Sequence, residues 1–194
     1  MRNRVVTISR EFGSGGRTIG KEVAGRLHIP CYDQELIEKV ARESGFTQEF
    51  IKEEGEYAAY GGWLANAFFN RPMQGTSAQD YLWTVQRKVI LDLAEKESCV
   101  IVGRCADFIL QDVADCLKVF IHASADRRAE RIVKVYGETE EEPEKRLRDK
   151  DRRREAYYKF YTGLEWGEAQ NYHIALDSGI LGIDRCVSLI TQLF

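Results

Sequence analysis

No pair of the five cysteines, at 31, 99, 105, 116 and 186, has CxxC spacing, and histidine occurs only at 28, 122 and 173. Both shortages count against a structural zinc site. An odd, scattered cysteine set also excludes a disulfide scaffold and is expected of a reducing cytoplasm. No apolar run approaches the roughly 20 residues of a membrane helix, and the longest, Cys99–Gly103, is strand-sized. The opening MRNRVVTISR leads into a strand-like stretch without the apolar core of a signal peptide. There is no excess of basic charge: 28 basic against 31 acidic residues leave a net −3, unlike a general nucleic-acid binder. Repeats, low-complexity stretches and Ser/His/Asp or Cys/His constellations are all absent. What is present is a chain of 194 residues, 44% hydrophobic and 30% charged. That length and balance suit one core-bearing domain acting on small molecules, with neither membrane nor nucleic acid as partner.

Strand and helix patterns alternate along the chain. RVVTIS (4–9) reads as a short buried strand, REFGSGGRT as a glycine-rich turn, and TIGKEVAGRL (18–27) as a helix with Ile19, Val23 and Leu27 on one face. A second strand is expected at 29–32, then a helix over 33–45 between Asp33 and Gly45. Residues 46–75 hold Phe50, Tyr57, Tyr60, Trp63, Phe68 and Phe69 around Gly61-Gly62, and suggest glycine-broken helices forming a subdomain core or a homodimer interface. Ser77 starts a helix to about 96, CVIVG (99–103) and CLKVFIH (116–122) read as strands, and a helix capped by Ser124 ends at Gly137. Pro143 suits the first turn of a polar helix, PEKRLRDKDRRREAYYKFY, whose first half has too few apolar residues for a core helix. A last strand (172–176) and a last helix (183–194) follow. The order predicts an α/β fold, with about five parallel strands and helices on both faces.

Two basic features carry chemistry. Gly13-Ser14-Gly15-Gly16-Arg17-Thr18 lies between a strand and a helix, where backbone N–H groups and the helix dipole favour phosphate. It departs from GxxxxGK[ST]: Arg10 stands at the first-glycine position, Gly16 at the lysine position, and Arg17 follows one residue late. An arginine at 17 supplies positive charge near the β- and γ-phosphates. Further on, KRLRDKDRRR (145–154) places Lys145, Arg148 and Arg152 on one helix face, a cationic stripe able to close over a triphosphate. Glu140–Glu144, Asp149 and Asp151 lie close enough to make it instead a solvated, ion-paired helix. Arg104, at the carboxyl end of the 99–103 strand, is a candidate phosphate ligand. Asp33 fits helix capping and substrate contact equally. His122 reads as a rim histidine.

ISREFGSGGRTIGKEVAGRL, CVIVGRCADFIL, DKDRRREAYYKFYTGLEWG and NYHIALDSG, taken in order, resemble the cytidylate kinase-like family, a branch of the P-loop nucleoside monophosphate kinases. The resemblance implies a P-loop kinase fold in three parts: a core (1–32, 97–137, 170–194), an acceptor-binding helical subdomain (about 33–96) and an arginine-rich lid (about 138–169). It implies transfer of the ATP γ-phosphoryl group to CMP, dCMP or a related monophosphate, with Mg²⁺. Gly13 to Thr18 would hold the donor phosphates, with Thr18 as a metal ligand. Arg17, Arg152 and Arg154 would stabilise the transferring group, with Arg148 on the lid, and Arg131 would lie against adenine. Asp33, Lys39, Arg104 and Asp107 would bind the acceptor, although Lys39 replaces an arginine and Cys105 the aspartate of a Gly-Arg-Asp motif. The Cys105 change leaves room for another small acceptor. The missing loop lysine leaves room for a nucleotide-binding regulator without turnover.

Overall fold

A computed structural model of the chain describes residues 3–49, 51 and 78–194. Strand β1 is Arg4–Arg10, and the loop after it leads into helix α1, Gly16–Leu27. A two-residue β2, Cys31–Tyr32, precedes α2, Gln34–Ser44. Helix α3 (Ala78–Lys96), β3 (Cys99–Val102) and the short α4 (Ala106–Ile109) follow. Next come β4 (Asp115–His122), α5 (Ala125–Tyr136) and the long α6 (Pro143–Thr162). A 3-10 turn, Ala169–Asn171, leads to β5 (Ile174–Asp177), the short α7 (Ser178–Leu181) and α8 (Ile183–Leu193). The five strands form one parallel sheet in the order β2-β3-β1-β4-β5, as the alternating pattern predicts. The expected aromatic core or interface at Tyr57, Tyr60, Trp63, Phe68 and Phe69 lies outside the described residues.

Alternation along the strands assigns two cores. Val5, Cys99 and Ile101 face α2 and α3, and pack with Leu36, Val40, Leu82, Val89 and Leu93. Val6, Ile8, Val100, Val102, Val119 and Ile121 face the other way, onto Ile19 and Val23 of α1 and Val187 and Ile190 of α8. Helices on both faces explain why β1 and β3 read as continuous apolar runs. Each such fully buried branched side chain contributes about 1.5–3 kcal/mol.

Helix α6 corrects one expectation. Its first half does dock: Leu147, 2% exposed, packs with Ala129 and Ile132 of α5 and with Phe12 of the loop. Its second half is held by Tyr157 and Tyr158, which pack with Cys105, Trp83 and Trp166. One leucine is enough because the rest of this contact is polar. The backbone N–H of Phe12 donates to Asp151 Oδ1 at 2.7 Å. Arg128 pairs with both Asp151 and Glu11 and donates to the Phe12 carbonyl at 3.1 Å.

Candidate phosphate-binding cleft

In a parallel sheet the carboxyl ends of all strands reach one edge, where ligands bind. Here that edge carries Arg10 at the end of β1, Asp33 after β2 and Arg104 after β3. A cleft of about 500 Å³ opens there, floored by Gly13, Gly15, Gly16, Arg17 and Thr18. Asp33, Ile37 and Arg104 line one side. Arg131, Val135 and Tyr136 of α5 line another, and Arg146, Lys150 and Arg154 of α6 close over it. Among the described lining residues, seven are cationic and two, Glu11 and Asp33, are acidic. In a chain of net charge −3, this local excess of positive charge favours an anionic ligand.

The loop needs its glycines for conformation and for space. Gly15 is the α1 N-cap in the left-handed region, φ +82°. A Cβ at Gly15 would also lie 2.7 Å from Ile183 Cδ1. Behind it, the N–H groups of the first α1 turn point into the cleft end of the helix. Ser14 is buried and donates from Oγ to the Glu11 carbonyl at 2.9 Å, so its hydroxyl shapes the loop. Burial pushes the Glu11 carboxyl above its ordinary range, although the Ala123 N–H and Arg128 oppose this.

Arg17 does not stand alone in the cleft. Its Nε and Nη2 both reach Asp33 Oδ2 at 2.6 Å. Burial works against the Arg17 charge, but the Asp33 pair outweighs it and holds the guanidinium more firmly protonated. Asp33 occupies the N-cap position of α2 yet makes no side-chain cap bond; its Oδ2 accepts from Arg17 instead. Arg104 and Cys105, with Gly103 before them, take the left-handed conformation at φ 62°, 54° and 76°. This strained turn is held from the side chain: Arg104 Nη1 donates to the Ile51 carbonyl at 3.0 Å and to Gln86 Oε1 at 3.3 Å. Arg131 donates from Nη2 to Thr18 Oγ1 at 3.1 Å.

Several site expectations need correction. Asp107 is 2% exposed and does not reach the cleft; it accepts from the Tyr158 hydroxyl at 2.8 Å, and burial raises its pKa. The Lys39 ammonium lies 5.9 Å from the Tyr32 ring centroid and is not among the cleft-lining groups. Arg148 and Arg152 are exposed, about 200° around α6 from Arg146 and Arg154 respectively. The cleft-facing stripe is therefore 146, 150 and 154, one phase away from the predicted 145, 148 and 152. Three cations missed by sequence reasoning, Arg10, Arg146 and Lys150, line the cleft. Leu147 is the signal that would have set the helix phase. Among the described residues no cluster of three metal-ligating side chains exists; Mg²⁺ bound with a nucleotide takes most of its ligands from phosphates and water. Thr18, the expected metal ligand, accepts at Oγ1 from Arg131.

A five-stranded parallel sheet in this order, with a glycine loop running into a helix at its carboxyl edge, defines a P-loop kinase fold. The chain belongs to the cytidylate kinase-like family, whose sequence model matches residues 5–180, and so to the P-loop nucleoside monophosphate kinase superfamily. A crystal structure of an uncharacterized protein from Eubacterium ventriosum ATCC 27560 is similar to it, at 27% identity and TM-score 0.74 over 98% of both chains. Shikimate kinase from Acinetobacter baumannii in complex with shikimate matches at 16% identity and TM-score 0.56, over 100% of this chain and 93% of that one. A gluconokinase from Sinorhizobium meliloti 1021 matches at 14% identity and TM-score 0.55, over 97% and 92%. The latter two likenesses show the fold alone. No curated protein sequence matches the chain at a significant level. No described helix is long and apolar enough to cross a membrane.

Proposed function

We propose that the protein transfers the γ-phosphoryl group of Mg-ATP to CMP, dCMP or a related nucleoside monophosphate. The observation that carries this reading is the cation-lined cleft of about 500 Å³ over the Gly13–Thr18 loop, within a cytidylate kinase-like chain. Phosphoryl transfer asks for positioning and charge stabilisation rather than covalent chemistry, and a monophosphate oxygen is already a competent nucleophile. The loop N–H groups and the α1 dipole hold the donor phosphates. Arg17, Lys150 and Arg154 spread the charge that develops as the γ-group moves. Arg104 and Asp33 orient the acceptor, and Arg131 lies beside the donor at Thr18. Arg146 and Lys150, carried by α6, bring the lid over the site and exclude water that would hydrolyse ATP.

A kinase of a small hydroxyl acceptor is the second reading. Asp33 favours it, because a hydroxyl acceptor needs a carboxylate to take its proton and Asp33 lines the cleft. The shikimate kinase and gluconokinase that share the fold act on such acceptors by name. Coupled ADP release with Mg-ATP against CMP, dCMP, UMP, AMP, GMP, shikimate and gluconate separates the two. Turnover highest with CMP or dCMP is expected. Turnover only with a hydroxyl acid selects the second reading, and ATP binding without turnover on any of them indicates a nucleotide-binding regulator.

A further inference from the structure

Loops of the GxxxxGK[ST] kind place their phosphate-binding cation at the start of the helix. In this chain that position is Gly16, the first residue of α1. We propose that the cation has moved to β1: Arg10 binds the donor's β- and γ-phosphates in place of the lysine missing at position 16. The inference rests on reading the cleft as a donor-phosphate site.

Two observations carry it. First, a Cβ on Gly16 would lie 2.5 Å from Arg10 Cβ and 2.8 Å from Arg10 Cγ. Real side chains do not approach so closely, so the Arg10 stem occupies the space in which a lysine at 16 would begin. The side chain gained at 10 and the side chain lost at 16 are one exchange, in the volume the two positions share. Second, Arg10 is 6% exposed and still lines the cleft. Its main chain is fixed on both sides, by pairing with Ile121 of β4 and by a 3.2 Å hydrogen bond from Arg154 Nη1 to its carbonyl. A guanidinium on so constrained a stem is pre-organised, and it keeps its charge at any working pH.

Electrostatics agree with this placement. Arg10 stands beside the N-terminus of α1, where a cation is disfavoured, and its charge opposes that of Arg17. A polyphosphate entering between the loop and Arg10 relieves both repulsions.

The test is calorimetric binding of inorganic tripolyphosphate and of Mg-ATP. Arg10→Met keeps a stem across Gly16 and removes the charge. It is expected to weaken tripolyphosphate binding about tenfold or more, the loss of one charge-assisted contact, with an unchanged circular dichroism spectrum. The exchange variant Arg10→Gly/Gly16→Lys returns the cation to the helix and is expected to bind within about fivefold of wild type, against at least about a tenfold loss for Arg10→Gly alone. That pair decides the matter if Arg10→Met does not fold. Folded Arg10→Met or Arg10→Gly binding as tightly as wild type overturns the Arg10 inference and leaves the phosphotransferase reading standing. Wild type that binds neither tripolyphosphate nor Mg-ATP overturns both.

Discussion

Arg17 and Asp33 tie the glycine loop to the start of α2, with two guanidinium nitrogens on a single carboxylate oxygen at 2.6 Å. Arg17 is half-exposed while Asp33 is 8% exposed, so the two partners do not respond alike to mutation. Arg17→Met leaves a buried carboxylate without its partner and is expected to cost about 1–3 kcal/mol. Asp33→Asn leaves only an exposed cation and should cost less. Urea denaturation of both single variants and the double variant checks this. A coupling energy of about 1 kcal/mol or more is expected, and strict additivity would show that the pair contributes nothing to stability.

Asp151 joins the lid helix to the loop through the Phe12 N–H and Arg128. Asp151→Ala removes one of two carboxylates from Arg128, which is 11% exposed as a side chain and keeps Glu11 and the Phe12 carbonyl. A loss of about 1–3 kcal/mol is expected, from the Phe12 N–H left without its acceptor and the weakened Arg128 pairing. Because the same carboxylate sets the loop against α6, turnover should fall further than the folded fraction does. Steady-state kinetics on protein verified as folded measures that excess.

Asp107 gives a pH dependence of definite sign. Burial raises its carboxyl above the ordinary 3.8, and the Tyr158 hydroxyl only partly offsets this. The folded state therefore holds the proton more tightly than the unfolded state. Between 3.8 and the raised value, the contribution of this group to stability falls as pH rises, and it stays low above that window. Asp107→Asn keeps an acceptor for Tyr158 and removes the titration. Its stability relative to wild type should improve from about pH 4 to about pH 7.5. Denaturation curves at both pH values test this, and an Asn variant that loses ground at the higher pH would contradict it.

Much of this architecture can be read from residue order, because strands buried on both faces announce themselves as apolar runs such as CVIV. The parallel sheet was legible for that reason, the bounds of α3 and α5 from their flanking serines and glycine, and the loop between β1 and α1 from its glycines. The α6 stripe was not. A helix that polar has no amphipathic phase of its own, and its orientation comes from one leucine, Leu147, meeting α5. Arg10 and Gly16 were visible as departures from the loop pattern. That they compensate each other was not, because it depends on two side chains sharing one volume across the turn. Asp33 was open between capping and substrate contact; the structure shows no side-chain cap bond and instead an ion pair with Arg17, which only three-dimensional proximity reveals.

Two glycines of α1 separate packing from backbone entropy. A Cβ at Gly20 would lie 2.9 Å from Val102 Cγ2, while one at Gly25 meets nothing within 4 Å. Gly20→Ala should therefore destabilise by about 1–3 kcal/mol through overpacking. Gly25→Ala should stabilise by about 0.5–1 kcal/mol through helix propensity. Thermal melts of the two variants should move in opposite directions.

The most direct test of the central claim is a phosphorus NMR time course of the wild-type protein with Mg-ATP and CMP. The account predicts paired diphosphate resonances of CDP and ADP growing in equal amounts as ATP and CMP disappear. Unchanged spectra, or inorganic phosphate as the sole new signal, would contradict it.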